Sequence, residues 1–150
     1  MEKLGVNIFQ GDVRDFGSIK NAMQGVEYVF HIAALFREAK HNDDVYFDVN
    51  VGGTRNVLDL CEELKVKRMV HCSTVGVHSH IPNPPADEQE EFRPGDIYQE
   101  TKCEGEKLAQ ERFKSGRVDG VVVRPAMIWG EGDLRTVSYT HLTLPTICSV

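Results

Sequence analysis

The chain has 150 residues, a length that fits one domain, and its 41% hydrophobic and 27% charged residues exclude the disordered and fibrous classes. Its formal net charge is −6 and no Lys/Arg cluster builds a basic face, so nucleic acid is excluded as an expected partner. No apolar run is long enough to cross a membrane. The four cysteines, none in C-x-x-C spacing and with no signal peptide ahead of them, lead us to expect free thiols and a cytoplasmic location.

In chain order, Met1 to Gly5 reads as the end of a helix, and Val6 to Phe9 as a short strand ending at Gly11-Asp12. Asp15 or Ser18 can cap a short helix that carries Ile19, Ala22 and Met23 on one face and closes at Gly25. Tyr28 to Ile32 is an apolar run that reads as a buried strand. After the polar stretch Arg37 to Asp44, a helix spans roughly Val45 to Leu64, with Val49, Val57, Leu60, Cys61 and Leu64 on its apolar face. Gly52-Gly53 weakens that helix, which implies close approach of another group. Arg68 to Cys72 is the next strand, and a loop with Pro82, Pro84, Pro85 and Pro94 follows.

Asp96 to Lys114 is a second long helix, ended with the help of Gly116. Gly120 to Arg124 is a further strand, and its unbroken Val121-Val122-Val123 predicts cover on both faces. Strands alternating with helices predict an α/β fold with right-handed crossovers and a parallel sheet. The acidic run Asp87, Glu88, Glu90 and Glu91 reads as a solvated loop. His78 and His80 flank Ser79 in a loop and carry little indication of zinc, so no metal site is expected.

The strongest chemical signal is Tyr98-Gln99-Glu100-Thr101-Lys102. Spacing i, i+4 puts Tyr98 and Lys102 on one helix face. A tyrosine with an ordinary pKa of about 10 moves protons poorly at neutral pH, and a neighbouring ammonium lowers that value by favouring the phenolate. The pair can then act as a general acid/base on a substrate hydroxyl. Upstream, His71-Cys72-Ser73-Thr74 ends a strand at the carboxyl edge of the sheet, where open α/β folds bind ligands. Ser73 or Thr74 can bond the oxygen that Tyr98 protonates; the plainer alternative is a hydroxyl that caps a loop.

The segments Gly11-Asp12-Val13-Arg14-Asp15, His31-Ile32-Ala33-Ala34, Asn50-Val51-Gly52-Gly53-Thr54, Cys72-Ser73-Thr74, Tyr98-x-x-x-Lys102 and Arg124-Pro125-x-x-x-x-Gly130 occur in this order. Together, over about residues 5 to 135, the chain resembles the extended short-chain dehydrogenase/reductases. These include NAD-dependent epimerases and dehydratases, dihydroflavonol-reductase-like and hydroxysteroid-dehydrogenase-like enzymes.

The resemblance implies a doubly wound Rossmann fold, NAD or NADP as cofactor, and hydride exchange with a carbinol or ketone carbon of a small-molecule substrate. Tyr98 would be the acid/base, Lys102 would tune it, and Thr74 would orient the substrate oxygen. Asp12 and the Val13 backbone would contact adenine; the plainer alternative is an Asp12 that only caps a turn. His31, Ala33 and Ala34 would line the dinucleotide; His31 can also be a satisfied core histidine. Asn50 would brace the site, and Gly52-Gly53 would allow tight helix packing. Ser73, Tyr98 and Lys102 join the cofactor-lining set, with Lys102 bonding the nicotinamide ribose. Pro125 and Ala126 would pack near the nicotinamide, Pro125 also ending its strand. Asp96, Ile97 and Met127 to Trp129 are candidates to border the substrate. Family members often dimerise through the two long helices.

Two departures stand out. Relatives continue S/T-x-x-V-Y-G where this chain reads Val77-His78-Ser79, which argues against a standard sugar epimerase. The family's opening strand and G-x-x-G-x-x-G phosphate turn are absent from the sequence, as is the second strand. A partial Rossmann domain, residues 1–136, is therefore expected, unstable and inactive by itself. Residues 137–150, beginning Val137-Ser138-Tyr139-Thr140-His141-Leu142, resemble a translated sequencing adapter and are read as a non-native tail, so His141 and Cys148 receive no role. The alternative function is a non-catalytic, dinucleotide-binding redox sensor of the same fold.

Overall fold

A computed structural model describes residues 5–36 and 41–128. The element order is α1 (Phe16–Met23), β1 (Tyr28–His31), α2 (Asp43–Tyr46), a π-helical segment (Phe47–Gly52), α3 (Gly53–Glu63), β2 (Arg68–Cys72), a 3-10 turn (Val75–His78), α4 (Ile97–Lys114) and β3 (Gly120–Val123). The three strands form one parallel sheet in the order β1-β2-β3. Each crossover between them carries a helix, as the alternation of patterns predicts.

Local chemistry sets the helix ends. Asp15, rather than Ser18, caps α1 by accepting from the Gly17 and Ser18 amides, and Gly25 leaves the helix at φ 73°. Asp96 caps α4 by accepting from the Gln99 amide, and Gly116 follows its end at φ 70°. The helix expected from Val45 begins earlier, at Asp43, where Asn42 accepts from the Val45 amide. It is not regular: the turn around Asn50 widens into a π segment that runs directly into α3. Such bulges inside helices recur at functional sites.

One face of the sheet holds the core. Val57, Leu58, Leu60 and Cys61 of α3, Ala109 of α4 and Met69 of β2 pack with Met23, Val66 and Val118. Full burial of Leu58 and Leu60 stabilises the fold by roughly 1.5–3 kcal/mol each. The same burial holds the Cys61 thiol up at about 12, so it packs as an apolar group. Gly53 permits α3 to touch the 11–15 turn, since a Cβ there would lie 2.6 Å from Val13 Cγ2. Gly52 has no such neighbour, so the close approach expected of the pair belongs to Gly53.

Two expectations are corrected. The segment 6–9 belongs to no strand among the described residues; Val6, Ile8 and Phe9 are exposed. An extended segment with no neighbouring strand has no ladder to join. Nor are β1 and β3 covered on both faces: the register aligns Phe30, Val70 and Val121, and their row is open, with Phe30 67% and Val121 47% exposed. A run of apolar residues reports that both sides tolerate burial, not that both sides are covered. Residues 1–4, 37–40 and 129–150, with the helix end, part of the polar stretch, Trp129, Gly130 and the tail expected there, lie outside the described residues.

Candidate active site

The carboxyl ends of β1, β2 and β3 and the first turns of α4 build the site. Lys102 is carried one turn into α4, 4% exposed, and its Nζ donates to the Cys72 carbonyl at 2.6 Å, immediately before Ser73-Thr74. Burial pushes its ammonium below the ordinary lysine range, while Cys72 and Glu106 oppose that shift. Tyr98, one turn earlier, is partly buried and meets the Phe36 ring edge-on at 4.8 Å between centroids. Thr74 caps the 3-10 turn, its Oγ1 accepting from the Gly76 amide at 3.1 Å. That bond leaves the hydroxyl proton available to a substrate oxygen. Gln99 packs on this turn: a Cβ at Gly76 would stand 3.3 Å from both Gln99 Cγ and Thr74 Oγ1. The structure therefore brings Thr74, Tyr98 and Lys102 to one end of the sheet.

Asn50 sits in the π segment, 2% exposed. Its Oδ1 accepts from the Leu35 amide at 2.7 Å, and its Nδ2 donates to the Leu35 carbonyl at 3.2 Å and to Thr101 Oγ1 at 2.9 Å. Thr101 donates in turn toward the carbonyls of Ile97 and Tyr98. One amide thus ties the loop after β1 to the turn that bears Tyr98. Ala33 and Ala34, in that loop, are exposed and add nothing beyond a methyl group above the backbone.

His31 is 4% exposed at the end of β1, with Nε2 3.0 Å from Thr54 Oγ1. Thr54 gives its single proton to the Asn50 carbonyl at 2.6 Å, so His31 must donate from Nε2. That bond ties the Nε2 side of the His31 ring to α3. Burial and the Lys102 charge push its pKa down to about 4. Asp12 is exposed and paired with Arg14, which holds its carboxylate down at about 2; its carboxylate also accepts from the Arg14 amide at 2.8 Å. The Val13 carbonyl accepts from Asn56 at 3.0 Å. Pro125 continues the pairing beside β2, its carbonyl accepting from the Val75 amide at 3.0 Å, and Ala126 and Met127 are exposed beyond it.

Several contributors were not assigned from sequence. Thr54 and Thr101 carry the hydrogen bonds just described, and Gly105 lets α4 approach Asn50. A glycine inside an eighteen-residue helix is the signal that marks Gly105. Glu106, wholly buried, receives Arg124 Nε at 2.9 and 3.1 Å, while Arg124 lies 5.1 Å over the Phe92 ring. His78 is buried rather than placed in an open loop: it stacks on Phe92 and its Nδ1 lies 3.1 Å from the Glu91 carbonyl. Glu90 and Glu91 of the acidic run pair with Arg93. Among the described residues no group of three or more potential ligands could hold a metal ion. Among them, too, no helix is long and apolar enough to cross a membrane.

The pattern of the 3-beta hydroxysteroid dehydrogenase/isomerase family matches residues 1–144. The chain belongs to this family, within the extended short-chain dehydrogenase/reductases. Its family relatives include 3beta-hydroxysteroid-dehydrogenase/decarboxylase isoform 2 of Arabidopsis thaliana, 35% identical over 85% of this chain and 23% of that protein. An Escherichia coli O157:H7 enzyme, N-acetyl-alpha-D-glucosaminyl-diphospho-ditrans,octacis-undecaprenol 4-epimerase, is 33% identical over 81% of this chain and 37% of its own length. A short-chain dehydrogenase/reductase superfamily protein of Agrobacterium tumefaciens with bound NAD superposes with TM-score 0.76 at 30% identity, covering 83% of this chain and 38% of that one. Thermus thermophilus UDP-glucose 4-epimerase, in complex with NAD, gives TM-score 0.72 at 27% identity over 80% and 40%. The chain thus spans well under half the length of these family relatives.

Proposed function

We propose that the whole protein containing this family segment is an NAD(P)-dependent oxidoreductase that oxidises a ring carbinol or reduces the matching ketone. The observation that carries this reading is the buried Lys102, anchored on Cys72 next to Thr74 and one helical turn from Tyr98. Solved relatives with bound NAD support the cofactor class.

The residues present fit the nicotinamide half of a dinucleotide. Ser73 Oγ is buried without a partner among the described residues, Lys102 has donors beyond the one spent on Cys72, and Ala33-Ala34 leave backbone accessible. The dinucleotide, when bound, supplies hydride acceptance or donation. In the oxidative direction Thr74 holds the substrate hydroxyl while Tyr98 takes its proton; in the reductive direction Tyr98 returns that proton to the carbonyl oxygen. Lys102 favours the phenolate form of Tyr98 electrostatically. Asn50 fixes both sides of this arrangement at once. Asp12, Val13, Pro125 and Ala126 are proposed to line the dinucleotide.

Steroid-type and sugar-type names both occur among the relatives, and both substrate classes offer a secondary ring carbinol. The isolated segment, without a Gly-rich phosphate turn in its sequence, is proposed to be inactive. The whole protein should reduce NAD or NADP with 3β-hydroxysteroids or nucleotide sugars, and Tyr98→Phe should lower kcat by ~10²–10⁴-fold. A fully active Tyr98→Phe variant, or no turnover across both substrate classes, would reject the reading.

A further inference from the structure

Among the described residues, no carboxylate forms an ion pair with Lys102. The Cys72 carbonyl takes one of its three donors. Glu106, the next residue on its helix face, is held by Arg124 and by Gln110 at 2.6 Å. At its carboxyl end, the sheet face that holds Met69 and the core turns polar. His31 and His71 are register partners on β1 and β2, their rings 5.6 Å apart and tilted by 39°. Strand alternation puts Ser73 on the same face as His71. His71 is fully buried, and among the described residues neither of its nitrogens has a hydrogen-bond partner; Ser73 Oγ has none either. Most buried polar groups are satisfied, so three orphan atoms in one patch need a reason.

We infer that His71, with Ser73 beside it, is a positioning residue that acts on Tyr98 through Lys102: a neutral imidazole keeps the site beneath the ammonium polar where no carboxylate is free to do so. This rests on reading Tyr98 and Lys102 as the acid/base pair. A neutral imidazole offers one lone pair, and Ser73 offers two, to an ammonium with donors to spare, through one bridging water. A charged imidazole would instead repel Lys102. Facing His71 are Lys102 from α4 and His31 from β1, while α3 contributes the uncharged Thr54 hydroxyl that fixes His31. Burial first, then Lys102, then His31 hold His71 at about 3, so it is neutral throughout the working range.

An apolar replacement would leave the Lys102 charge in drier surroundings and lower its pKa further, withdrawing support from the Tyr98 phenolate. In the whole protein, His71→Phe should move the alkaline limb of the kcat/KM profile down by about one pH unit or more, and His71→Gln should bring it back close to wild type. A residue that only fills space would leave the His71→Phe profile on top of the wild-type one, and that result overturns the inference. Two NMR titrations do not depend on turnover. The Lys102 side-chain nitrogen should titrate lower in His71→Phe than in wild type, and the wild-type His71 ring should stay neutral down to about pH 4. A His71 ring that titrates near 6.5 overturns the inference even if His71→Phe does not fold. Loss of turnover in the wild-type protein with both titrations as expected would reject the oxidoreductase reading and leave the Lys102 environment as inferred.

Discussion

Gly105 meets Asn50 so closely that a Cβ added at 105 would stand 2.9 Å from the Asn50 carbonyl oxygen and 3.3 Å from Thr54 Oγ1. That oxygen already accepts the Thr54 proton, and Thr54 in turn accepts from His31. The missing side chain is what lets α4 lie against the π segment, and so lets Thr101 reach Asn50.

Gly105→Ala tests this approach. In an exposed helix interior that change gains about 1 kcal/mol. Here the methyl group meets backbone, and overpacking should turn the gain into a net loss of about 1–3 kcal/mol, read by chemical denaturation of the whole protein. A gain in stability would show that α4 can move away freely.

Asn50→Ala removes both bonds to Leu35 and the one to Thr101. Partly buried main-chain groups left without partners cost about 1–3 kcal/mol each, so stability should fall by at least about 2 kcal/mol. Amide exchange gives the location: the Leu35 N–H should lose protection while the ladder amides of β2 keep theirs.

Glu106→Ala should be among the most damaging single changes, by about 3–5 kcal/mol, because it leaves Arg124 partly buried without its anion. Arg124→Met alone strands Glu106 in turn. A double-mutant cycle should return a coupling of about 1 kcal/mol or more, and additive losses would show that the pair contributes no mutual stabilisation.

The histidine pair sets a pH dependence of stability. His31 and His71 have folded pKa values of about 4 and about 3, against 6.5 for a free imidazole. Depressed values mean that the unfolded chain binds more protons, so stability rises with pH. The contribution is fully present above 6.5 and is lost as pH falls through 6.5 toward the folded values, with a slope of at most about 2.7 kcal/mol per pH unit while both rings are involved. Denaturation midpoints from pH 7 to 4.5 should fall steadily, and His71→Phe should roughly halve the slope. A flat profile would mean that the rings are not buried as a neutral pair.

Some of this was legible in the residues and some was not. The helix from Asp96 to Lys114 and the strand from Arg68 to Cys72 were read within one residue, because a capping carboxylate, a closing glycine and a compact apolar run are local signals. Tyr98 and Lys102 share a face by spacing alone. The cover over Val121-Val122-Val123 was misread, since apolarity states what a strand tolerates while neighbours decide what it receives. The strand expected at 6–9 failed for the same reason, for a strand exists by pairing.

By itself, then, the sequence determined the alternation of helices and strands from Phe16 to Val123, the parallel α/β class and the family, because each depends on spacing along the chain or on motif order. Tertiary structure alone decided that Asn50 joins the Leu35 loop to the Tyr98 turn, that Gly105 opens the space for this contact, that Glu106 is taken by Arg124, and that His71 lies orphaned beneath the Lys102 site. Those relations join residues fifteen to more than fifty positions apart, and hydrogen bonding and desolvation act on distance in space, which spacing along the chain does not encode.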